Sequence, residues 1–167
     1  WSAACSSGQE PYTIAMLLED ALPNAAARVS ITATDLSREM VERTRAGRFS
    51  QLEVNRGLPA PMLVRHLQRA GSEWEVAPNL RRMVTARECN LAAPLPRMGP
   101  FDVVYLRNVL IYFDLPTKQA ILRRVRALMR PDGWLFLGAA ETTLGVDDSW
   151  ERVVVGRSSA YRPLKGN

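Results

Sequence analysis

The chain has 167 residues, 47% of them hydrophobic and 23% charged, a balance that suits one globular domain and excludes a disordered or fibrous chain. The formal net charge of +5 is spread over helical stretches without a basic run, which admits an acidic partner but does not call for nucleic acid. Two distant cysteines, a lone histidine and the lack of a long apolar run argue against a disulfide scaffold, a metal site and membrane insertion, and fit a reducing, cytoplasmic setting.

Residues 1–4 read as the end of a buried strand, so the chain is expected to lack an N-terminal part. A loop of small residues follows, Cys5-Ser6-Ser7-Gly8-Gln9-Glu10-Pro11, and then a helix over Tyr12–Leu22 with Ile14, Ala15, Leu17, Leu18 and Leu22 at helical spacing. Pro11 suits a first helical turn. Strand, small-residue loop and helix together offer free N–H groups and a positive dipole end to a carboxylate or phosphate. With a single glycine, the loop is not the dinucleotide fingerprint. A second strand, Arg28–Thr34, ends at Asp35, where an acid holds ribose hydroxyls in dinucleotide folds. The alternative is capping, by Asp35 or Ser37, of the helix Arg38–Arg45 that Gly47 closes.

Residues 50–88, approximately, read as a small helix-plus-hairpin subdomain inserted in a domain covering residues 1–167. Its parts are a turn at residues 57–61, a helix Pro61–Ala70 closed by Gly71, and strands 74–77 and 82–89 that pair. His66 falls in the helix as an ordinary helix-face histidine. Phe101–Leu106 is a buried strand that breaks at Arg107-Asn108 and turns apolar again through Val109–Phe113. Ligands in open α/β sheets sit beyond the carboxyl ends of strands, so Arg107, Asn108 and Tyr112 are candidate site residues; the competing reading is a core strand and an ordinary turn. Pro116–Met129 is an amphipathic helix with Ile121, Leu122, Val125, Leu128 and Met129 inward and Lys118, Arg123, Arg124 and Arg126 outward. A turn at residues 130–133, a strand Trp134–Gly138, and strands 151–155 and 159–162 flanking Gly156-Arg157 complete the chain. The order gives an α/β fold, a mostly parallel sheet with an antiparallel end.

The blocks WSAACSSGQEPYTIAMLL, ATDLSREMVERTRAGRF, VNRGLP, CNL, FDVVYLRNVLIYFD and RPDGWLFLGAAE occur in the order found in chemotaxis-receptor glutamate methyltransferases of the CheR type, which the chain resembles over nearly its whole length. The resemblance implies a Rossmann-like class I methyltransferase fold with a terminal antiparallel hairpin. It implies S-adenosylmethionine as donor, S-adenosylhomocysteine as product, and receptor glutamates as acceptors in the cytoplasmic domain of a methyl-accepting chemoreceptor. Carried over by position, Glu10 would contact the donor near its amino-acid end. Asp35 would hold its ribose, Asn90 and Leu91 would flank its adenine, and Leu106 and Arg107 would end the fourth strand beside it. Ala3 would approach the donor through its backbone, and Tyr112 would lie near the methyl-transfer centre. No metal is implied.

The chain departs from the family pattern at Leu106, where a cysteine is usual, and at Ala140, where a serine is usual. The family's N-terminal helical domain, with a catalytic arginine, does not occur in this sequence, so the chain alone is expected to have reduced activity. The short turn Ala70-Gly71-Ser72-Glu73 resembles members that do not dock on a receptor's C-terminal pentapeptide. The competing function is a methyltransferase-like docking module without catalysis. A nicotinamide dehydrogenase is disfavoured by the missing glycine fingerprint and by the terminal hairpin.

Overall fold

The computed structural model describes residues 1–156 and 158–164. The chain divides into two compact units, one formed by Cys5–Glu88 and the other by Trp1–Ala4 with the residues from Cys89 onward. The first strand, β1 (Ser2–Ala3), belongs to the second of these.

The unit Cys5–Glu88 opens with α1 (Gln9–Ala21), a short α2 (Ala25–Arg28), β2 (Ile31–Asp35) and α3 (Arg38–Ala46). It continues through β3 (Arg48–Ser50), α4 (Gln51–Asn55), α5 (Ala60–His66), β4 (Leu67–Ala70), β5 (Glu73–Val76), α6 (Pro78–Met83) and β6 (Val84–Glu88). Strands β2 and β6 pair in parallel from Ile31↔Val84 to Asp35↔Glu88. Ala33 and Ala86 on that pair, with Cys5 and Val41 of α3, form a small apolar cluster. Small side chains there let α3 lie close to the strands. A second core joins Tyr12, Ala15 and Met16 of α1 to Leu80 and Met83 of α6 and to Phe49, Leu67 and Val76 of the antiparallel sheet β3-β5-β4.

Local signals fix several boundaries. The Ser37 side chain accepts from Met40 N at the start of α3, and Gly47 closes that helix at φ 61°, so Ser37 rather than Asp35 is the cap. Ser50 and Glu53 make a reciprocal capping box on α4. Other expectations do not hold. Arg28 closes α2 and the strand begins at Ile31. The helix expected over Pro61–Ala70 stops at His66, and residues 67–70 become β4, with Gly71 turning the hairpin at φ 66°. Residues 73–76 pair with 67–70 and 48–50, not with 82–89, because Val84–Glu88 is taken by β2. His66 does lie in a helix, as the last residue of α5, and is buried with Nε2 3.1 Å from Asp20 Oδ1.

The other unit contains β7 (Phe101–Leu106), a 3₁₀ turn Leu110–Tyr112, α7 (Leu115–Ala127), β8 (Met129–Leu137), β9 (Trp150–Val155) and β10 (Ser158–Pro163). Its strands lie in the order β1-β7-β8-β10-β9, with β1, β7 and β8 parallel and the last pairings antiparallel. The terminal antiparallel hairpin is therefore present; Arg157 of its turn lies outside the described residues. Val104, Leu106 and Leu135 are fully buried, as are Ile121, Leu122 and Val125 of α7. Burying each such side chain contributes about 1.5–3 kcal/mol. The turn expected at residues 130–133 is a bulge inside β8: between Phe101↔Met129 and Val103↔Trp134, β7 advances two residues and β8 five. Two arginines expected to point outward on α7 are tied back. Arg124 Nη1 donates to the carbonyls of Leu91 and Ala92 at 3.1 Å, and Arg126 Nη2 to that of Leu164 at 2.6 Å. Among the described residues no helix is long and apolar enough to cross a membrane.

Burial pushes the Cys5 thiol up to about 11, although the Thr44 hydroxyl opposes the shift. A thiol kept protonated is a poor nucleophile. Cys5 is therefore expected to react with a disulfide reagent at pH 8 only after unfolding, and fast reaction of the native chain at that residue would contradict this packing. Burial also opposes ionisation of Glu53, but hydrogen bonds from Ser50 and Arg43 outweigh it and lower the pKa. The folded pKa then lies below the unfolded one, so this stabilisation is complete above the ordinary value of 4.5 and drains as pH falls through the folded value. Urea midpoints measured down the acid range should fall less steeply for Glu53→Gln. Ser50→Ala, which removes the cap, should cost about 1 kcal/mol at neutral pH.

Candidate functional site

Each unit carries part of the predicted residue set. In Cys5–Glu88 the small-residue loop turns sharply between the chain start and α1: Ser6 has φ 51° and Gly8 φ 99°. A side chain at Gly8 would meet Thr44, with Oγ1 at 3.0 Å and Cα at 3.2 Å, so the loop has room only for glycine there. Thr44 Oγ1 donates to Ser6 O at 3.1 Å, and Cys5 N donates to Thr34 O at 2.8 Å. Beneath the loop, the Tyr12 hydroxyl donates to Thr44 O at 2.8 Å, and burial raises the phenol to about 12.

Asp35, at the carboxyl end of β2, holds this loop in place. Oδ2 accepts from Ser6 N at 2.8 Å and Oδ1 from Ser37 N at 3.0 Å. A carboxylate has about four acceptor positions. Two remain on Asp35, which is partly exposed, and a pair of vicinal hydroxyls would use both. Glu10 stands in the first turn of α1, half-buried. The charges of Asp35 and Glu10 both bear on the Cys5 thiol, so the two acids surround one loop.

In the other unit Ala3 pairs with Leu106, and both side chains are buried in the core. Leu91 is buried in the same core, held by the Arg124 bond to its carbonyl. What these three offer a ligand is backbone and a closed apolar wall. Asn90 is exposed and folds into a turn, its Oδ1 accepting from Ala92 N at 2.9 Å. Arg107 and Asn108 follow β7 on the surface, Asn108 with φ 56°. Tyr112 ends the 3₁₀ turn with 78% of its surface exposed. Among the described residues no cluster of His, Cys, Asp or Glu is arranged to hold a metal.

Reading the sequence did not single out Glu141. Its carboxylate accepts four backbone N–H groups: Oε2 from Asn108 and Gly138, each at 2.7 Å, and Oε1 from Val109 at 2.9 Å and Leu110 at 2.7 Å. These bonds clamp the turn after β7 to the end of β8 and set where Tyr112 stands. A side chain at Gly138 would collide with Asn108 Oδ1 and lie 2.6 Å from Glu141 Oε2, so that glycine is required. The sequence signal for Glu141 is its place just past a strand end, as the last residue of the block RPDGWLFLGAAE.

A family model described as "CheR methyltransferase, SAM binding domain" matches residues 1–158. Chemotaxis protein methyltransferase 1 of Pseudomonas aeruginosa is 40% identical over 97% of this chain and 61% of its own length. The chemotaxis protein methyltransferase of Vibrio parahaemolyticus is 41% identical, covering 97% of this chain and 60% of that protein. The Escherichia coli protein of that name is 41% identical over 84% of this chain and 51% of its length. The chain thus spans about three fifths of the length of the first two relatives. Among solved structures, the PH0226 protein from Pyrococcus horikoshii OT3 superposes with a TM-score of 0.55 at 13% identity, over 97% of this chain and 80% of that one. The glycopeptide N-methyltransferase MtfA, solved with S-adenosyl-L-homocysteine, gives 0.53 at 16% identity, over 98% of this chain and 52% of that one. At these identities the superpositions establish the fold, a Rossmann-like α/β methyltransferase architecture.

Charge-assisted hydrogen bonds contribute about 1.5–3 kcal/mol each and are not additive. Glu141→Ala should therefore lower stability by about 3 kcal/mol, and Glu141→Gln by less, since an amide keeps one acceptor oxygen. Equal urea midpoints for the wild type and Glu141→Ala would show that the clamp is unimportant.

Proposed function

The chain belongs to the CheR methyltransferase family, and from that premise we propose that it binds S-adenosylmethionine and serves methyl transfer to glutamate side chains of a methyl-accepting chemoreceptor in the cytoplasm. The product is a glutamate γ-methyl ester. The observation that carries this reading is Asp35, whose carboxylate pins the small-residue loop and keeps two acceptor positions for ribose hydroxyls. The small side chains of Cys5, Ser6, Ser7 and Gly8 support a close approach of a ligand to the loop backbone.

In this reading Glu10 receives the amino group of the donor's amino-acid end. Asn90 and Leu91 flank its adenine, and Ala3, Leu106 and Arg107 wall the pocket. Tyr112 stands at the methyl-transfer centre. Its exposure supports that role, since a group meeting a protein acceptor must be reachable from outside. The donor, when bound, supplies the activated methyl group. A glutamate acceptor, with an ordinary pKa near 4.3, is already ionised at neutral pH, so no general base is needed. The protein's work is then alignment of reacting atoms at roughly 3–3.5 Å and exclusion of water from the carboxylate. The residues proposed for the site include tyrosine, arginine and acids but no histidine or cysteine, which suits that task.

Hairpin β4–β5 turns on Gly71-Ser72 alone, which supports independence from a receptor's C-terminal pentapeptide. A tail pentapeptide should show no micromolar binding in calorimetry, and clear binding would remove this part of the proposal. Titration with S-adenosylmethionine should show binding that Asp35→Asn weakens by ~1.5–3 kcal/mol, roughly ten- to a hundredfold in Kd. Preference for NAD would sink the donor assignment. In a methyl-ester assay on receptor, Tyr112→Phe should lower kcat by up to about a hundredfold while donor affinity holds. Donor binding without any ester formation would instead point to a docking module.

A further inference from the structure

A cavity of about 460 Å³ opens at the carboxyl ends of β7 and β8, where β10 begins. Of the residues assigned above to the donor, only Arg107 lines it; Tyr105, Phe136, Glu141, Arg152 and Ser159 also form its wall. We propose that this cavity is an acceptor subsite that takes a carboxylate-bearing peptide segment of the methylated protein, with Arg152 as its cationic contact. This assignment rests on the methyl-transfer reading and names where that reaction's substrate is recognised.

The charges on the wall are unequal. Among the described residues Glu141 is its one carboxylate, and both its oxygens are turned to backbone amides at 2.7–2.9 Å. Arg152 supplies the cationic contact on that wall. Arg152 is held on one side, its Nε donating to Ser159 Oγ at 2.9 Å, and it makes no ion pair among the described residues. A guanidinium fixed at Nε presents its two terminal nitrogens as a fork, the geometry that matches a carboxylate in a bidentate pair.

Apolar surface completes the cavity. The rings of Tyr105 and Phe136 stack at 5.0 Å with 14° between their planes. Such a wall accommodates the methylene stem of an acidic side chain. The volume lies in the range of ligand sites and exceeds a lone carboxylate, so it suits a side chain with its flanking backbone. Its place beyond parallel strand ends is also where open α/β sheets bind ligands. The chain's net charge of +5 adds long-range attraction for an acidic partner.

The test is fluorescence anisotropy on the full chain with a short labelled synthetic peptide carrying glutamates, against the same peptide with glutamines. The glutamate peptide should bind about tenfold tighter or better, and the difference should shrink as salt rises. Arg152→Glu and the milder Arg152→Gln should abolish the preference. Arg123→Glu, a matched change on the exposed side of α7, should keep it within about twofold, so that a general charge effect is separated from the cavity. Near-UV circular dichroism checks that each variant is folded. Equal binding of the two peptides, or an unchanged preference in folded Arg152→Glu, overturns the proposal. So does displacement of the peptide by inorganic phosphate at lower concentration than by glutarate. S-adenosylmethionine titrated into the unaltered chain keeps the two readings apart. Donor binding without glutamate preference sinks the subsite alone, and glutamate preference without donor binding sinks the donor assignment.

Discussion

The Glu141 carboxylate and the four backbone N–H groups it collects form the constraint on which the strand ends of β7 and β8 depend. A parallel sheet leaves its carboxyl ends with no partner strand to satisfy them, and buried amides must find acceptors elsewhere. One ionised side chain answers for residues 108–110 and 138 together. The consequences are local and specific. Asn108 is held at φ 56°, Gly138 tolerates no side chain, and the 3₁₀ turn lifts Tyr112 clear of the core. Among the described residues Glu141 is the one acid lining the cavity beside it, and its oxygens are taken up by these amides.

The unit Cys5–Glu88 uses the same device with different parts. Asp35 takes Ser6 N and Ser37 N, so the end of β2, the small-residue loop and the start of α3 move as one piece. Thr44 adds a hydroxyl to the loop carbonyl, and Tyr12 anchors Thr44 from below. Both units thus spend carboxylates on backbone amides. The difference is in what is left over. Glu141 is saturated and structural, whereas Asp35 retains lone pairs and partial exposure, which makes it the acid that a ligand can use.

Arginine does comparable work on the second unit. Arg124 and Arg126 belong by periodicity to the polar face of α7, yet each reaches a backbone carbonyl of a distant segment. A long side chain can run over apolar surface and still deliver its charged head. Leu91 is thereby fixed in the core by a contact that helical periodicity alone does not reveal.

Much was legible in the chain itself. Caps fixed α3, apolar period fixed α7, the apolar run Val103–Leu106 fixed the central strand, and the family motifs singled out Glu10 in the first turn of α1, Asp35 at the end of β2 and Tyr112 at the end of the 3₁₀ turn. These are short-range signals, set by neighbours within a few positions. Tertiary structure decided the rest. Residues 67–70 carry a helical pattern but extend because residues 73–76 pair with them, while 84–88 is captured by β2. The sequence at 130–133 reads as a turn but becomes a bulge because β7 runs alongside. The role of Glu141 appears only when amides some thirty positions away, Asn108 at a separation of 33, fold against it. Pairing partners and acceptor geometry depend on residues far apart in sequence, and no local pattern encodes which of them will meet.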